Sequence, residues 1–257
     1  MTPKRLVIAG ATGRMGETLL RLLPHEKDFQ LVGAVAQPAQ GGVAGVALVP
    51  TLAQALSGGA DVVIDFTHAD VVQANAQACL DAKVAWVLGT TGLSGSQLER
   101  VKQVAQACAV VMAPNFSVGV NVMFRMAAQL AQALGPSYDA EIVETHHRHK
   151  RDAPSGTALR IAHEVAGARG QGHDVFRLAR EGQVGERRTG EIGIQSLRGG
   201  DVAGEHTLFF YGDGERLELT HRATGRDGFA QGAYRAAKFA LAKPPGLYDM
   251  ADVLGLR

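Results

Sequence analysis

Leu6-Val7-Ile8-Ala9-Gly10-Ala11-Thr12-Gly13-Arg14-Met15-Gly16 decides how the first half of the chain folds. Four apolar residues run without interruption into a glycine, the mark of a strand buried on both faces. A helical pattern opens at Arg14. Between them, Gly10 permits a tight turn and Gly13 permits close backbone approach, while the new helix aims its unpaired N–H groups outward. That arrangement suits a dinucleotide pyrophosphate. Glycine turns also join strand to helix in α/β proteins that bind nothing. Placement directly after the first strand favours the ligand reading.

Outward from this turn, apolar runs at Leu31–Val35, Val62–Phe66, Val84–Leu88 and Val110–Met112 read as further buried strands. Helical spacing over Arg14–Leu23, Ala69–Ala82 and Ser96–Ala107 separates them. The alternation predicts an α/β domain with a doubly wound, mostly parallel sheet. Ligands of such sheets sit at the carboxyl ends of the strands, here at Gly10–Gly13, Phe66-Thr67-His68, Gly89–Gly92 and Pro114-Asn115-Phe116. An acidic residue ending the second strand would select a ribose 2′-hydroxyl and a basic one a 2′-phosphate. Ala36-Gln37-Pro38 offers neither. Arg14 tilts the reading slightly towards NADPH over NADH, although a solvated helix-start arginine looks the same.

Beyond Asn115 the pattern predicts a helix to Leu134, a strand Ala140–Thr145, and a helix from Ser155 to Ala168. Strand-like runs follow at Ile192–Leu197, His206–Tyr211 and Leu217–Ala223, the last two joined through Gly212-Asp213-Gly214. This is a second, α+β domain with antiparallel strands. Gly228–Leu241 reads as a helix, and the tail Lys243–Met250 as a segment folding back onto the first domain. Residues 169–190, rich in Gly, Arg and Glu, read as a mobile surface segment.

A net charge of +1 over 257 residues carries no nucleic-acid footprint. No stretch has the roughly 20 continuous apolar residues a membrane helix needs. The apolar run begins at Leu6, leaving no space for a signal peptide, so a cytoplasmic protein is expected. Cys79 and Cys108 lie in apolar, helix-like surroundings without CxxC spacing and read as packing residues.

His146-His147-Arg148-His149-Lys150-Arg151 places six imidazole or cationic side chains in a row. A solvated basic loop is one reading. Three histidines, able to exchange protons near physiological pH, favour an anion site with acid/base capacity. A metal held by His147 and His149 is disfavoured, because Lys150 and Arg151 repel a cation and no carboxylate or thiol with ligand spacing accompanies them. Pro154-Ser155-Gly156-Thr157 then opens a helix. It is either a plain cap or a second anion pocket, and its adjacency to the histidines favours a pocket suited to a small dicarboxylate.

Four motifs in order, GATGRMG at 10–16, GTTG at 89–92, APNFSVGVNVM at 113–123 and ETHHRHKRDAPSGTAL at 144–159, give the chain a resemblance to the 4-hydroxy-tetrahydrodipicolinate (dihydrodipicolinate) reductases. The match extends through Gly190–Gly193 and Arg222–Gly232, covering essentially the whole chain. The resemblance implies a Rossmann-like dinucleotide-binding domain over 1–117, completed by 227–257. It implies a substrate-binding domain over 118–226 that also builds a homotetramer. Carried over by position, Gly10, Ala11, Thr12, Gly13, Arg14, Met15, Gly89, Thr90, Thr91, Ala113, Pro114, Asn115 and Phe116 would line NADPH or NADH. His146 would be the acid/base candidate and Lys150 the proton donor, with His147, Gly156, Thr157 and Arg226 on the substrate. Two rivals remain on sequence alone. A nicotinamide dehydrogenase acting on an amino acid leaves the histidine block unexplained, and a redox-sensing regulator needs none of its acid/base residues.

Overall fold

The computed structural model describes residues 2–256. In chain order it begins with β1 (Lys4–Ala9), α1 (Arg14–Leu22), β2 (Phe29–Val35), β3 (Gly42–Val43), β4 (Val46–Val49), α2 (Leu52–Leu56), β5 (Val62–Asp65), α3 (Ala69–Ala82), β6 (Ala85–Leu88), α4 (Gly95–Ala105) and β7 (Ala109–Met112). There follow α5 (Val118–Leu134), β8 (Asp139–His146), α6 (Gly156–Ala168), β9 (Phe176–Arg177), β10 (Ile192–Arg198), β11 (Gly204–Gly212) and β12 (Glu215–Ala223). The chain closes with α7 (Asp227–Leu241), β13 (Gly246–Tyr248) and α8 (Met250–Leu254). Two compact units result. One combines the chain up to Val118 with the segment from Arg226 onward, and the other is Gly119–Gly225.

The first unit is an α/β sheet in the order β13-β7-β6-β5-β1-β2-β4-β3. All its pairs are parallel except β3 with β4. The chain runs from β1 to one side through β2 and β4, then crosses to β5 on the other side. The switch point, where ligands of such sheets bind, lies between β1 and β5. Side chains of a strand alternate in direction, so a strand apolar throughout serves two cores. Leu6 and Ile8 pack with Leu19 of α1 and with Ala233, Tyr234 and Ala237 of α7. Val7 and Ala9 pack with Leu52, Val72, Ala76 and Val101 of α2, α3 and α4. Each large apolar side chain so buried contributes about 1.5–3 kcal/mol.

Close approach by α7 depends on a glycine. A Cβ on Gly232 would stand 1.7 Å from the carbonyl oxygen of Phe116. The Tyr234 hydroxyl fixes the same helix by donating to the Leu19 carbonyl at 2.7 Å. The tail folds back as expected and, in addition, β13 extends the sheet edge beside β7.

The second unit lays α5 and α6 on one face of a mixed sheet, order β12-β11-β8-β10-β9. The sequence pattern predicted antiparallel strands here. The hairpin β11–β12 and the β11–β8 pair are antiparallel, but β10 runs parallel to β8. Residues 169–190 also differ from the expected mobile segment, because two arginines anchor them. Arg180 pairs with Glu141 at 2.7 Å and Glu191 at 2.5 Å, and Arg187 with Asp139 at 2.6 Å and Glu141 at 3.1 Å. Gly193 leaves room for the shared carboxylate, since a Cβ there would meet Glu141 Oε2 at 1.9 Å. Both cysteines are buried, yet Cys108 falls between α4 and β7 rather than inside a helix.

Gly232→Ala is expected to lower the stability of the protein by about 1–3 kcal/mol in urea unfolding, the usual cost of overpacking. Gly228→Ala, on the same helix but with nothing within 4 Å of its Cβ, is expected to be neutral or stabilising by up to about 1 kcal/mol. Equal midpoints for the two variants would remove the close-approach account of Gly232.

Candidate active site

In the first unit, Gly10 takes φ +83°, a left-handed conformation open to glycine, and a Cβ there would meet the Phe66 carbonyl oxygen at 2.6 Å. The N–H groups of Gly10 and Ala11 donate to the Val35 carbonyl at 3.0 and 2.9 Å, pinning the turn to β2. Gly13 is the N-cap of α1 and supplies no side-chain cap, so the first-turn amides face outward. Gly16 closes the motif. Its Cβ would lie 2.1 Å from the Gly10 carbonyl oxygen.

A cavity of about 530 Å³ adjoins this turn, lined by Gly10, Thr12 and Gly13, by Gln37 at the end of β2, and by Thr67 and His68 after β5. Its glycine turn, uncapped helix start and place at the switch point fit a dinucleotide. The lining includes neither an acidic residue nor a lysine or arginine. Sequence reading placed the turn Phe66-Thr67-His68 at the ligand-binding edge of the sheet but gave these residues no part in holding the cofactor. Asp65, wholly buried, shapes that turn by accepting from Thr67 N at 3.0 Å, Thr67 Oγ1 at 2.6 Å, Asn75 Nδ2 at 2.9 Å and Trp86 Nε1 at 3.3 Å. Burial pushes its pKa up against those bonds.

The other expected cofactor residues follow β6 and β7 along the same edge of the sheet, outside that cavity's lining. Gly89 lies under the Phe66 ring, which a Cβ would meet at 2.2 Å, and Phe66 in turn meets Phe116 edge-on at 5.5 Å. Thr90 Oγ1 is buried without a hydrogen-bond partner among the described residues, an unspent polar atom at the carboxyl end of β6. Thr91 and Pro114 are exposed, and Ala113 is buried. Asn115 Oδ1 accepts from Ser117 N at 2.8 Å. Arg14 and Met15, in the first turn of α1, also lie outside the lining.

In the second unit, the alternation of β8 buries Ala140, Ile142, Glu144 and His146 on one face. The cationic run is therefore not uniformly solvated. His146 is buried, His147 and Lys150 are half-buried, and Arg148, His149 and Arg151 are exposed. His146 Nδ1 lies 2.5 Å from Glu144 Oε2. Arg198, at the end of β10, grips both oxygens of the same carboxylate at 2.8 and 2.9 Å, and Ser155 N donates to Oε1 at 3.2 Å. Sequence reading found no carboxylate with metal-ligand spacing beside these histidines and gave Glu144 no role. Glu144 lies two positions back from His146 on the strand and so on the same face. Burial acts to raise its pKa, but hydrogen bonds from His146, Arg198 and Ser196 prevail and hold it at about 2.

Lys150 Nζ meets both oxygens of Asp152 at 2.9 Å, keeping a paired ammonium beside the loop. Ser155 caps α6 by accepting from Ala158 N at 3.2 Å, which leaves Gly156 and Thr157 in its first turn. The Ser155 hydroxyl also meets His206 Nε2 at 3.1 Å. His206 stands opposite Glu144 in the β8–β11 register and packs edge-on against His146 at 5.2 Å. Nothing local in the sequence marked His206. Arg226 belongs to the first unit, where it is exposed at the N-cap of α7. Among the described residues no group of three or more metal-ligating side chains converges, and no helix is long and apolar enough to cross a membrane.

The family model described as dihydrodipicolinate reductase, N-terminus, matches residues 4–116, and that described as dihydrodipicolinate reductase, C-terminus, matches residues 119–254. The chain belongs to the dihydrodipicolinate reductase family. It is 51% identical to a 4-hydroxy-tetrahydrodipicolinate reductase of Myxococcus xanthus, with 98% of each chain covered. It is 44% identical to that of Nitrosomonas europaea over the full length of both. Among solved structures, a dipicolinate-bound dihydrodipicolinate reductase from Paenisporosarcina sp. TG-14 superposes with a TM-score of 0.81 at 27% identity, covering 98% of this chain and 99% of that one. The N-terminal part of this reductase family is a dinucleotide-binding domain, in keeping with the glycine turn.

Burial, with His146 as the next contributor, pushes the His206 pKa down from 6.5 to about 3. Glu144, His221 and Lys150 also face it. Between those pH values the unfolded chain binds a proton that the folded chain refuses, so stability falls as pH drops from 6.5 towards 3, by up to a few kcal/mol. Glu144 adds its own loss only below its ordinary value of 4.5. Thermal midpoints should therefore fall for the wild type between pH 6.5 and 4.5, and His206→Gln should flatten that slope. An unchanged slope in the variant would assign the acid sensitivity elsewhere.

Proposed function

We propose that the chain catalyses the NAD(P)H-dependent reduction of 4-hydroxy-tetrahydrodipicolinate, by way of dihydrodipicolinate, to tetrahydrodipicolinate in lysine and diaminopimelate biosynthesis. The observation that carries the reading is the concentration of a buried, carboxylate-held imidazole (His146), a paired ammonium (Lys150) and the N-terminus of α6 within one strand, loop and helix start. The other unit of the same chain supplies the dinucleotide turn. A flat ring bearing two carboxylates is the ligand named for the Paenisporosarcina enzyme, and cations with a helix N-terminus suit such a dianion.

Gly10, Ala11, Thr12, Gly13, Arg14 and Met15 are assigned to the cofactor pyrophosphate and its flanks, and Gly89–Thr91 with Ala113–Phe116 to the remainder. When bound, the reduced nicotinamide supplies the hydride. His147, Gly156, Thr157 and Arg226 hold the substrate carboxylates, orienting the ring and balancing its charge. Loss of the 4-hydroxyl as water leaves a conjugated imine, and hydride addition to it places electron density on the ring. Lys150 Nζ, held by Asp152, stabilises that density and delivers the compensating proton, with His146 as the acid/base partner. Both NADPH and NADH serve, since the cavity offers no side chain of either charge to select at the ribose. Arg14, the cation of the glycine turn, tilts the balance slightly towards NADPH. A cytoplasmic homotetramer is the assembly in which we place the enzyme.

Freshly prepared substrate should drive loss of the reduced-nicotinamide absorbance with either cofactor. An absence of substrate-dependent oxidation, in a protein that still binds NAD(P)H, would overturn the assignment. Lys150→Ala should cut turnover by about 10²- to 10⁴-fold, the range for a lost proton donor, while leaving cofactor affinity unchanged. Gln37→Arg should raise kcat/KM for NADPH relative to NADH by about tenfold, the effect of a 1.4 kcal/mol contact. An unchanged ratio would place the ribose elsewhere.

A further inference from the structure

Glu144 joins three parts of the site in the second unit. Oε2 faces His146 Nδ1, while Oε1 receives the backbone N–H of Ser155, the cap of α6. Arg198 spans both oxygens and continues to the carbonyl of Asp152 at 2.7 Å, so the loop carrying Lys150 hangs on the same carboxylate. All of this is built across β8 and β10, where Arg198 pairs in register with His146.

We propose that Glu144 is a positioning residue whose carboxylate fixes the tautomer of His146 and ties that imidazole to the α6 N-terminus and the Lys150 loop. An ionised carboxylate only accepts hydrogen bonds, so the nitrogen facing it must carry hydrogen. Nδ1 is thereby assigned the proton, and Nε2 becomes the nitrogen that exchanges protons with substrate. A side chain at Gly204 would crowd that second nitrogen, because a Cβ there would stand 3.0 Å from Nε2. A glutamine at 144 keeps the size but can turn either an oxygen or an NH₂ group towards Nδ1, so the tautomer is no longer imposed. The inference rests on the acid/base role of His146 proposed above, but its structural half is read without turnover.

The experiment is ¹⁵N NMR of the ring nitrogens in uniformly labelled wild type, a His146→Gln reference that assigns the signal, and Glu144→Gln, with kinetics on the wild type and Glu144→Gln. At about pH 8, where an ordinary imidazole is neutral, wild-type His146 should carry its proton on Nδ1, and Glu144→Gln should show it shared between the two nitrogens. In the same variant kcat should fall by about 10²- to 10⁴-fold, the range that a positioned acid/base group contributes. KM for the nicotinamide should stay within about twofold. If Glu144→Gln does not fold, because Arg198 is left as an unpaired charge, the double variant Glu144→Gln/Arg198→Met removes that charge and takes its place. An unaltered tautomer, or full turnover in a folded variant, overturns the proposal. A wild type that consumes no NAD(P)H with this substrate sinks the proposed reaction instead, and the NMR result still decides whether Glu144 sets the ring.

Discussion

A parallel sheet whose strands are apolar on both faces must be covered on both, and the rest of the first unit follows from that requirement. Leu6 and Ile8 on one face and Val7 and Ala9 on the other cannot be left in water. With α2, α3 and α4 on one side, the opposite face is closed by α1 and by α7 from the far end of the sequence. Rigid coverage on both sides is what allows the loops at the strand ends to hold a defined shape. Gly10, Gly16 and Gly232 are among the places where backbone comes so close to backbone that no side chain fits.

The second unit is organised around an opposite problem, a charge inside the core. Glu144 is fully buried, and a lone carboxylate there would be prohibitively costly. Its hydrogen bonds from Arg198, His146 and Ser155 offset that cost, and each donor belongs to a different segment of the site. Buried pairs of this kind add little net stability, since desolvation consumes most of the attraction. Their effect is geometric: the imidazole, the helix start and the loop cannot shift independently while the carboxylate holds all three.

The parts legible in the sequence were those written locally. Uninterrupted apolar runs announced β1, β2, β5, β6 and β7, and helical spacing announced α3 with its ends in place. β3, β4 and α2 were not legible, because two- to five-residue elements interrupted by glycines carry too little periodicity. β13 was hidden in a proline-flanked tail, its identity set by the edge of β7 it joins. The site divides in the same way. The glycine turn and the histidine run are contiguous motifs. Glu144 was within reach, two residues from His146 on a strand already recognised, whereas Arg198 and His206 reach it only through strand pairing across 54 and 62 residues of chain.

The return of α7 to the first sheet also bears on how the polypeptide is made. While a ribosome is still extending the chain towards residue 225, the sheet face formed by Leu6, Ile8, Ile64 and Val87 has emerged with α1, but α7, the other helix that covers it, has not been synthesised. Residues 119–225 carry their own core and can collapse as they leave the exit tunnel. The nascent first unit must wait, only partly covered on that side, until Asp227–Leu241 arrives. Translation thus imposes an order on assembly, inner unit before outer, and the interval between them is when a growing chain most needs protection from its neighbours.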